Sequence, residues 1–240
     1  MSPAQSSCLA VIPARGGSTR IPRKNIREFL GRPLIAYTIG AALESAVFAR
    51  VIVSTDDEEV AEISRRLGAE VPFMRSAALA DNHTASSPVT ADALERVDPR
   101  GELYAYVAQL LPTCPLRNAS DVRASFQQLL ATSAPAQISI TRFGWLYPWW
   151  AFERDPQLRL IPIFPEATQK RSQDLPPLFG PVGAIWWARA QSLRQTCNFY
   201  MPDHTGWEIP WERAVDIDSE DDWKMAECLK QRQVEDAIAQ

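Results

Sequence analysis

The chain reads as an α/β protein, a mostly parallel sheet with helices on both faces. Three observations predict it. Short apolar runs alternate with helical patterns of about 10–15 residues, as in successive βαβ units. Pro and Gly bound the apolar runs, as they bound buried strands. The first run, Leu9 to Pro13, breaks into a Gly16-Gly17 loop, and parallel sheets bind ligands at the carboxyl ends of their strands.

Each element follows in order. Leu9–Pro13 is the first strand. Pro33 takes a first helical position, and Leu34, Ile35, Thr38, Ile39, Ala42 and Leu43 follow at helical spacing. Val51–Thr55 is the second strand. Asp56 and Glu59 are spaced as a capping box for a helix that runs to Leu67 and stops at Gly68. Glu70–Phe73 is a third short strand. Ser86 or Ser87 caps a helix through about Val97, with Pro88 in its first turn. Leu103–Leu111 is a long strand ended by Pro112-Thr113-Cys114-Pro115. Ser120-Asp121 opens a helix to Leu130, and Ala136–Thr141 is the next strand.

The pattern then breaks. Residues 143–180 hold Trp145, Trp149, Trp150, Phe152, Phe164 and Phe179 among many prolines, with no helical period. So long a Pro-rich, aromatic stretch reads as an insertion that packs onto something, such as a second subunit. Strands at Gly183–Ala188 and Ala214–Ile217 and a helix from Ser219 resume the pattern. The expected organisation is one domain of residues 1–142 and 181–240, interrupted by the segment 143–180.

The 240 residues carry a net charge of -4, which argues against a general binder of nucleic acid or anionic membrane. No run of ~18 apolar residues is present to span a membrane, and Met1–Ser7 does not look like a leader. The four cysteines are widely spaced and read as reduced thiols, pointing to a cytoplasmic protein.

Against that acidity, Arg15, Arg20, Arg23 and Lys24 crowd one loop. Consecutive glycines let backbone N–H groups converge on an anion, and the cations neutralise phosphate. A basic solvated turn accounts for the same residues, and the loop is neither a Walker motif nor G-x-G-x-x-G. Asp216-Ile217-Asp218 on a strand places two carboxylates on one face, a pair suited to Mg²⁺; alternatively, Asp218 or Ser219 caps the following helix. The polar loop Asp81-Asn82-His83-Thr84-Ala85-Ser86-Ser87 fits either a base or sugar contact or plain helix capping. His83 and His204 read as surface groups, and the eight tryptophans as core and interface.

Taken jointly, these residues resemble the acylneuraminate cytidylyltransferases. The likeness rests on Ile12-Pro13-Ala14-Arg15-Gly16-Gly17-Ser18 with Ile21-Pro22-Arg23-Lys24-Asn25, Val53-Ser54-Thr55-Asp56, and Leu111-Pro112-Thr113-Cys114-Pro115-Leu116-Arg117. Arg171 with Gln173, Gly183-Ala184-Ile185 and Asp216-Ile217-Asp218 complete it. Within the family, the bacterial pseudaminic and legionaminic acid enzymes look nearest. The resemblance implies a Rossmann-like, GT-A-like nucleotidyltransferase sheet and transfer of CMP from CTP to a nine-carbon nonulosonic acid, with Mg²⁺ as cofactor. It implies that Arg15, Arg20 and Lys24 act on the triphosphate. Ala14, Gly16, Gly17, Ser18, Asn25, Arg75, Ser86, Ser87 and Gln109 would bind the nucleotide. Thr113, Arg171 and Gln173 would meet the sugar acid, and Asp216 and Asp218 would hold the metal. Residues 143–180 would form a homodimerisation segment reaching toward the partner's site. Three positions depart from the pattern: Thr19 stands for a usual Lys, Leu111 for a Gln, and Val182 for an Asn. Thr19 leaves open a CTP-binding homologue with little turnover, and keto-deoxy-octulosonate is an alternative sugar acid.

Overall fold

The structure is a computed structural model and describes residues 7–81, 84–144 and 146–238. Asn82, His83, Trp145 and the start of the Met1–Ser7 stretch lie outside the described residues. The order is β1 (Cys8–Pro13), the two-residue strands β2 (Glu28–Phe29) and β3 (Arg32–Pro33), α1 (Leu34–Ser45), β4 (Arg50–Ser54), α2 (Glu58–Arg66), α3 (Ser86–Val97), β5 (Tyr106–Gln109), α4 (Ala119–Thr132) and β6 (Ala136–Arg142). Then come β7 (Phe152–Arg154), β8 (Leu160–Pro162), β9 (Phe179–Arg189), α5 (Ala190–Thr196), β10 (Thr205–Glu208) and α6 (Glu220–Ile238).

Six strands form one sheet in the order β10-β6-β9-β5-β1-β4. β1 pairs in parallel with β4 and β5, and β10 with β6. β9 runs antiparallel between β5 and β6, so the sheet is mostly parallel with one reversed strand. Side chains of β1 alternate between the two faces, as a period of two requires. Cys8, Ala10 and Ile12 join the core beneath α1, α2 and α4; Leu9 and Val11 join the core beneath α3 and α5. Trp187 fills the first core between Phe48 and Phe126, at ring-centroid distances of 5.3 and 4.8 Å. A third cluster, with Ile21, Phe29, Leu116, Ile217 and Trp223, fixes α6 against the loop that follows β1.

Several boundaries differ from the sequence reading for identifiable reasons. Asp57, not Asp56, caps α2, its carboxylate accepting the Val60 N–H at 3.0 Å. Neither Ser86 nor Ser87 caps α3: they are its first two residues, and Ala85 precedes them without a side-chain cap. Glu70–Phe73 makes only one isolated bridge, at Glu70, because Pro72 has no N–H to extend a ladder. The strand expected over Leu103–Leu111 shortens to β5. Ala214–Ile217 joins no sheet, although Ile217 N–H reaches the Thr113 carbonyl at 2.8 Å.

Residues 143–180 carry the small β7–β8 hairpin and three short 3₁₀ turns. Trp149 and Trp150 donate their indole N–H groups to the carbonyls of Pro176 and Ala167. Leu146, Leu158 and Leu160 are more than half exposed. Among the described residues no helix is long and apolar enough to cross a membrane.

Candidate active site

β1 and β4 end side by side, so the loops that leave them meet at the carboxyl edge of the sheet. The loop after β1 is tied down at both ends. The Gly16 N–H donates to Asp56 Oδ1 at 3.0 Å. A Cβ on Gly16 would fall 2.5–3.0 Å from three atoms of Asp57, so the approach needs glycine. Arg23 pairs with the carboxylates of Asp57 and Glu59. Burial alone would raise the Asp57 carboxyl, but the Arg23 and Val60 hydrogen bonds hold it below its usual value. Farther on, Asn25 donates its amide to the Arg15 carbonyl at 2.9 Å.

On the far side stands the Asp216–Asp218 segment. Its backbone carries no ladder, yet exposure alternates: Ile217 is fully buried and both aspartates are half-buried. The pairing on one face therefore arises from an anchored loop, not from the expected strand. Lys24 Nζ donates to the Ile217 carbonyl at 2.6 Å and lies 3.2 Å from Asp218 Oδ1, where Arg20 Nη2 also sits at 2.8 Å. Ser219 caps α6 and exchanges hydrogen bonds with Asp222, which leaves Asp218 free of capping.

The loops enclose a cavity of about 310 Å³. Arg15, Ser18, Arg20, Lys24, Asn25, Arg75, Ser86, Thr113, Asp216 and Asp218 all line it, with Thr19, Thr84 and Leu111. Arg15 crosses the mouth to the Asp81 carbonyl at 2.7 Å. Arg75 is buried, its guanidinium held by the Ser54 hydroxyl at 3.2 Å and the Ser54 carbonyl. Burial lowers it to about 10, so it remains charged at neutral pH.

Five of the expected residues do not line the cavity. Ala14 is core, Gly16 is spent on Asp56, and Gly17 is exposed with open space around it. Ser87 is buried, and Gln109 lies wholly buried behind Ser86. Arg171 and Gln173 are not brought to this cavity. Arg171 pairs with Asp174 at 2.7 Å, and Gln173 lines a separate, larger cavity with Tyr147, Trp150 and Trp211.

The sequence motifs contain Arg117 and Gly183 but gave neither a role in framing the cavity. Arg117 is fully buried; Nη1 donates to the Leu111, Cys114 and Ala184 carbonyls at 3.0–3.2 Å, and Nη2 bonds Thr38. It binds α1, β9 and the loop after β5 together. A Cβ on Gly183 would fall 2.4 Å from Leu111 Cδ1 and 2.9 Å from Asp216 Oδ2. Asp56 and Asp57 were readable in one respect, because adjacent parallel strands must bring their following loops together.

Chemically, the cavity holds four cationic side chains and a pair of carboxylates. Mg²⁺ is commonly held by one or two carboxylates, completed by phosphate oxygens and water. Asp216 and Asp218 fit that requirement; no cluster of three or more metal-ligating side chains occurs among the described residues.

A family model described as Cytidylyltransferase matches residues 9–141. The chain is 33% identical over 222 residues to a pseudaminic acid cytidylyltransferase of Campylobacter jejuni, covering 92% of this chain and 95% of the relative. It is 32% identical over 224 residues to a CMP-N,N'-diacetyllegionaminic acid synthase of Legionella pneumophila, with the same coverages. Among solved structures, CMP:2-keto-3-deoxy-manno-octonic acid synthetase complexed with CTP superposes with a TM-score of 0.69 at 21% identity, covering 95% of this chain and all of the other.

Proposed function

The chain belongs to the cytidylyltransferase family, and from that premise we propose that it activates a nonulosonic acid with CTP, giving the CMP-sugar acid and pyrophosphate. One observation carries the reading. Arg15, Ser18, Arg20 and Lys24 share a single cavity with Asp216 and Asp218. The nonulosonic substrate class comes from the relatives, which are named for pseudaminic and diacetyllegionaminic acids.

In this reading the anomeric hydroxyl oxygen of the sugar acid attacks the α-phosphorus of CTP. The bond from that phosphorus to the bridging oxygen breaks, the pair of electrons leaves on pyrophosphate, and the hydroxyl proton passes to solvent. Rate enhancement comes from alignment and from neutralising charge on the phosphates. Arg15, Lys24 and Arg20 bear on the triphosphate, with Ser18 donating its hydroxyl. Arg75 and Ser86 face the cytidine, and Asn25 holds the loop through Arg15. Thr113, at the end of the strand-to-loop turn, faces the acceptor sugar.

Asp216 and Asp218 would hold Mg²⁺, which would supply positive charge against the phosphates. Lys24 and Arg20 already neutralise Asp218, and the triphosphate offers both cations a stronger partner. Thr19 lines the cavity without a charge, but Arg20 stands beside it and supplies one.

The apolar face of the β7–β8 hairpin suits a second copy of the chain. Residues 143–180 then form a dimerisation segment that presents Arg171 and Gln173 to the partner's cavity. A guanidinium there would meet the sugar carboxylate. The widely spaced, free cysteines are in keeping with a cytoplasmic reaction.

The test is pyrophosphate release with CTP, Mg²⁺ and separate pseudaminic, legionaminic, sialic and keto-deoxy-octulosonic acids. Release with a nonulosonic acid is expected. CTP binding without release from any acid would leave a binding homologue, and release with keto-deoxy-octulosonic acid alone would reassign the substrate.

A further inference from the structure

Behind Ser86, away from the cavity, lies a buried hydrogen-bond relay. Gln109 is the last residue of β5 and is wholly buried. Its amide oxygen accepts the Thr90 hydroxyl at 2.8 Å, and its amide nitrogen donates to Ser86 Oγ at 2.9 Å. Thr90 is also wholly buried. Its other neighbour is the Ser86 carbonyl one helical turn back, at 3.1 Å. Of these three side chains, only Ser86 lines the cavity.

An amide side chain has one accepting end and one donating end, and in the structure Gln109 turns its oxygen to Thr90 and its nitrogen to Ser86. The Thr90 hydroxyl is nearer the Gln109 oxygen than its own helix carbonyl, and its proton goes to that oxygen. The Gln109 nitrogen then donates to Ser86. The Ser86 oxygen is thereby an acceptor on its inner side, and its own proton points away from Gln109, to the cavity.

We infer that Gln109 is a positioning residue for base selection, fixing the Ser86 hydroxyl as a hydrogen-bond donor to an acceptor edge of the base. The inference rests on the cytidylyltransferase reading. Cytosine and uracil differ in this respect at ring N3, which carries a lone pair in cytosine and an N–H in uracil. A hydroxyl fixed as donor accepts the first and opposes the second. A freely rotating hydroxyl serves both. Arg75 lines the same cavity, and its guanidinium carries donors only, so any nitrogen it turns to the base also selects an acceptor edge. Discrimination of this kind penalises the wrong partner because a buried polar group is left unpaired.

Calorimetric titration of the intact protein with CTP and with UTP, both in magnesium buffer, tests it. The wild type is expected to favour CTP. Gln109→Met keeps the length of the side chain and removes both hydrogen bonds; the Ser86 hydroxyl is released, and the CTP-to-UTP affinity ratio falls about fivefold to tenfold. Gln109→Glu, when ionised, accepts the Ser86 proton and turns an acceptor toward the base, so the ratio falls further. Equal weakening of both nucleotides, with the ratio unchanged in Gln109→Met, would reduce Gln109 to a packing role and overturn the inference. Thermal melting verifies folding, and Gln109→Met decides alone if the glutamate variant is unfolded. Failure of the wild type to bind either nucleotide would overturn the cytidylyltransferase reading itself; CTP binding with an unmoved ratio overturns only the role of Gln109.

Discussion

The Gly16 N–H and the Asp56 carboxylate meet at 3.0 Å across the gap between two parallel strand ends. A backbone donor placed for an anion is thus satisfied by the protein and fixes the loop instead. Asp56→Ala should leave the fold intact, cost on the order of 1 kcal/mol in melting experiments and raise the KM for CTP several-fold. An unchanged KM would show that the loop keeps its shape without this bond.

Arg20 and Arg23 are three residues apart and have opposite surroundings. Arg20 lines the cavity, while Arg23 is held by Asp57 and Glu59. Arg20→Ala should lower kcat/KM by about tenfold to a hundredfold with little change in melting temperature. Arg23→Ala should act chiefly on stability. The Asp57 carboxyl lies below its ordinary value in the fold, so its contribution is present above about pH 4 and lost as pH falls further. That acid-side loss should shrink in Arg23→Ala, as measured by chemical denaturation across pH 3–6.

Asp216→Ala should abolish pyrophosphate release and weaken Mg²⁺ binding in the presence of CTP. A retained rate would remove Asp216 from the metal site.

Gly183→Ala would place a methyl group against Leu111 and the Asp216 carboxylate. Turnover is expected to fall more than tenfold while the melting temperature drops only moderately, because the strain lies at the carboxylate. Steady-state kinetics beside a thermal melt separate the two effects.

Cys8 and Cys114 are buried and Cys197 and Cys228 exposed. Burial raises the Cys8 thiol to about 12, and burial followed by the Asp216 carboxylate raises Cys114 well above its usual value. Ellman titration at pH 8 should find two fast thiols in the native protein and four after denaturation. A fast Cys114 would show that the floor of the site opens to solvent.

Much of this molecule was legible in residue order. Leu9–Pro13 with the glycine pair behind it gave the strand and its ligand-binding edge, because burial and backbone freedom are local properties. Lys24, Arg75, Ser86 and Asp218 were placed at one site, although their partners were not. That Arg23 turns to α2 and Arg20 to Asp218 depends on which loops the sheet order brings together. Gln109 shows the limit most clearly. Its residue type fits base contact, but its depth in β5 puts Ser86 in front of it. The strand expected at Ala214–Ile217 failed differently: apolar alternation was real, but no neighbouring strand was there to pair with.

The reversed strand β9 bears on how the molecule comes into being. Among the described residues, β6 and β10 join β5, β1 and β4 in the sheet only through β9. During synthesis the first three parallel strands can assemble early, yet β6 must wait more than thirty residues, from Arg142 to Phe179, for its bridge. Contacts so distant along the chain close slowly. Until they close, β5 and β6 each present an open edge, the kind of surface on which unfinished chains stick to one another. Slow refolding and a demand for chaperones, rather than low final stability, are the expected cost of threading the sheet in this order.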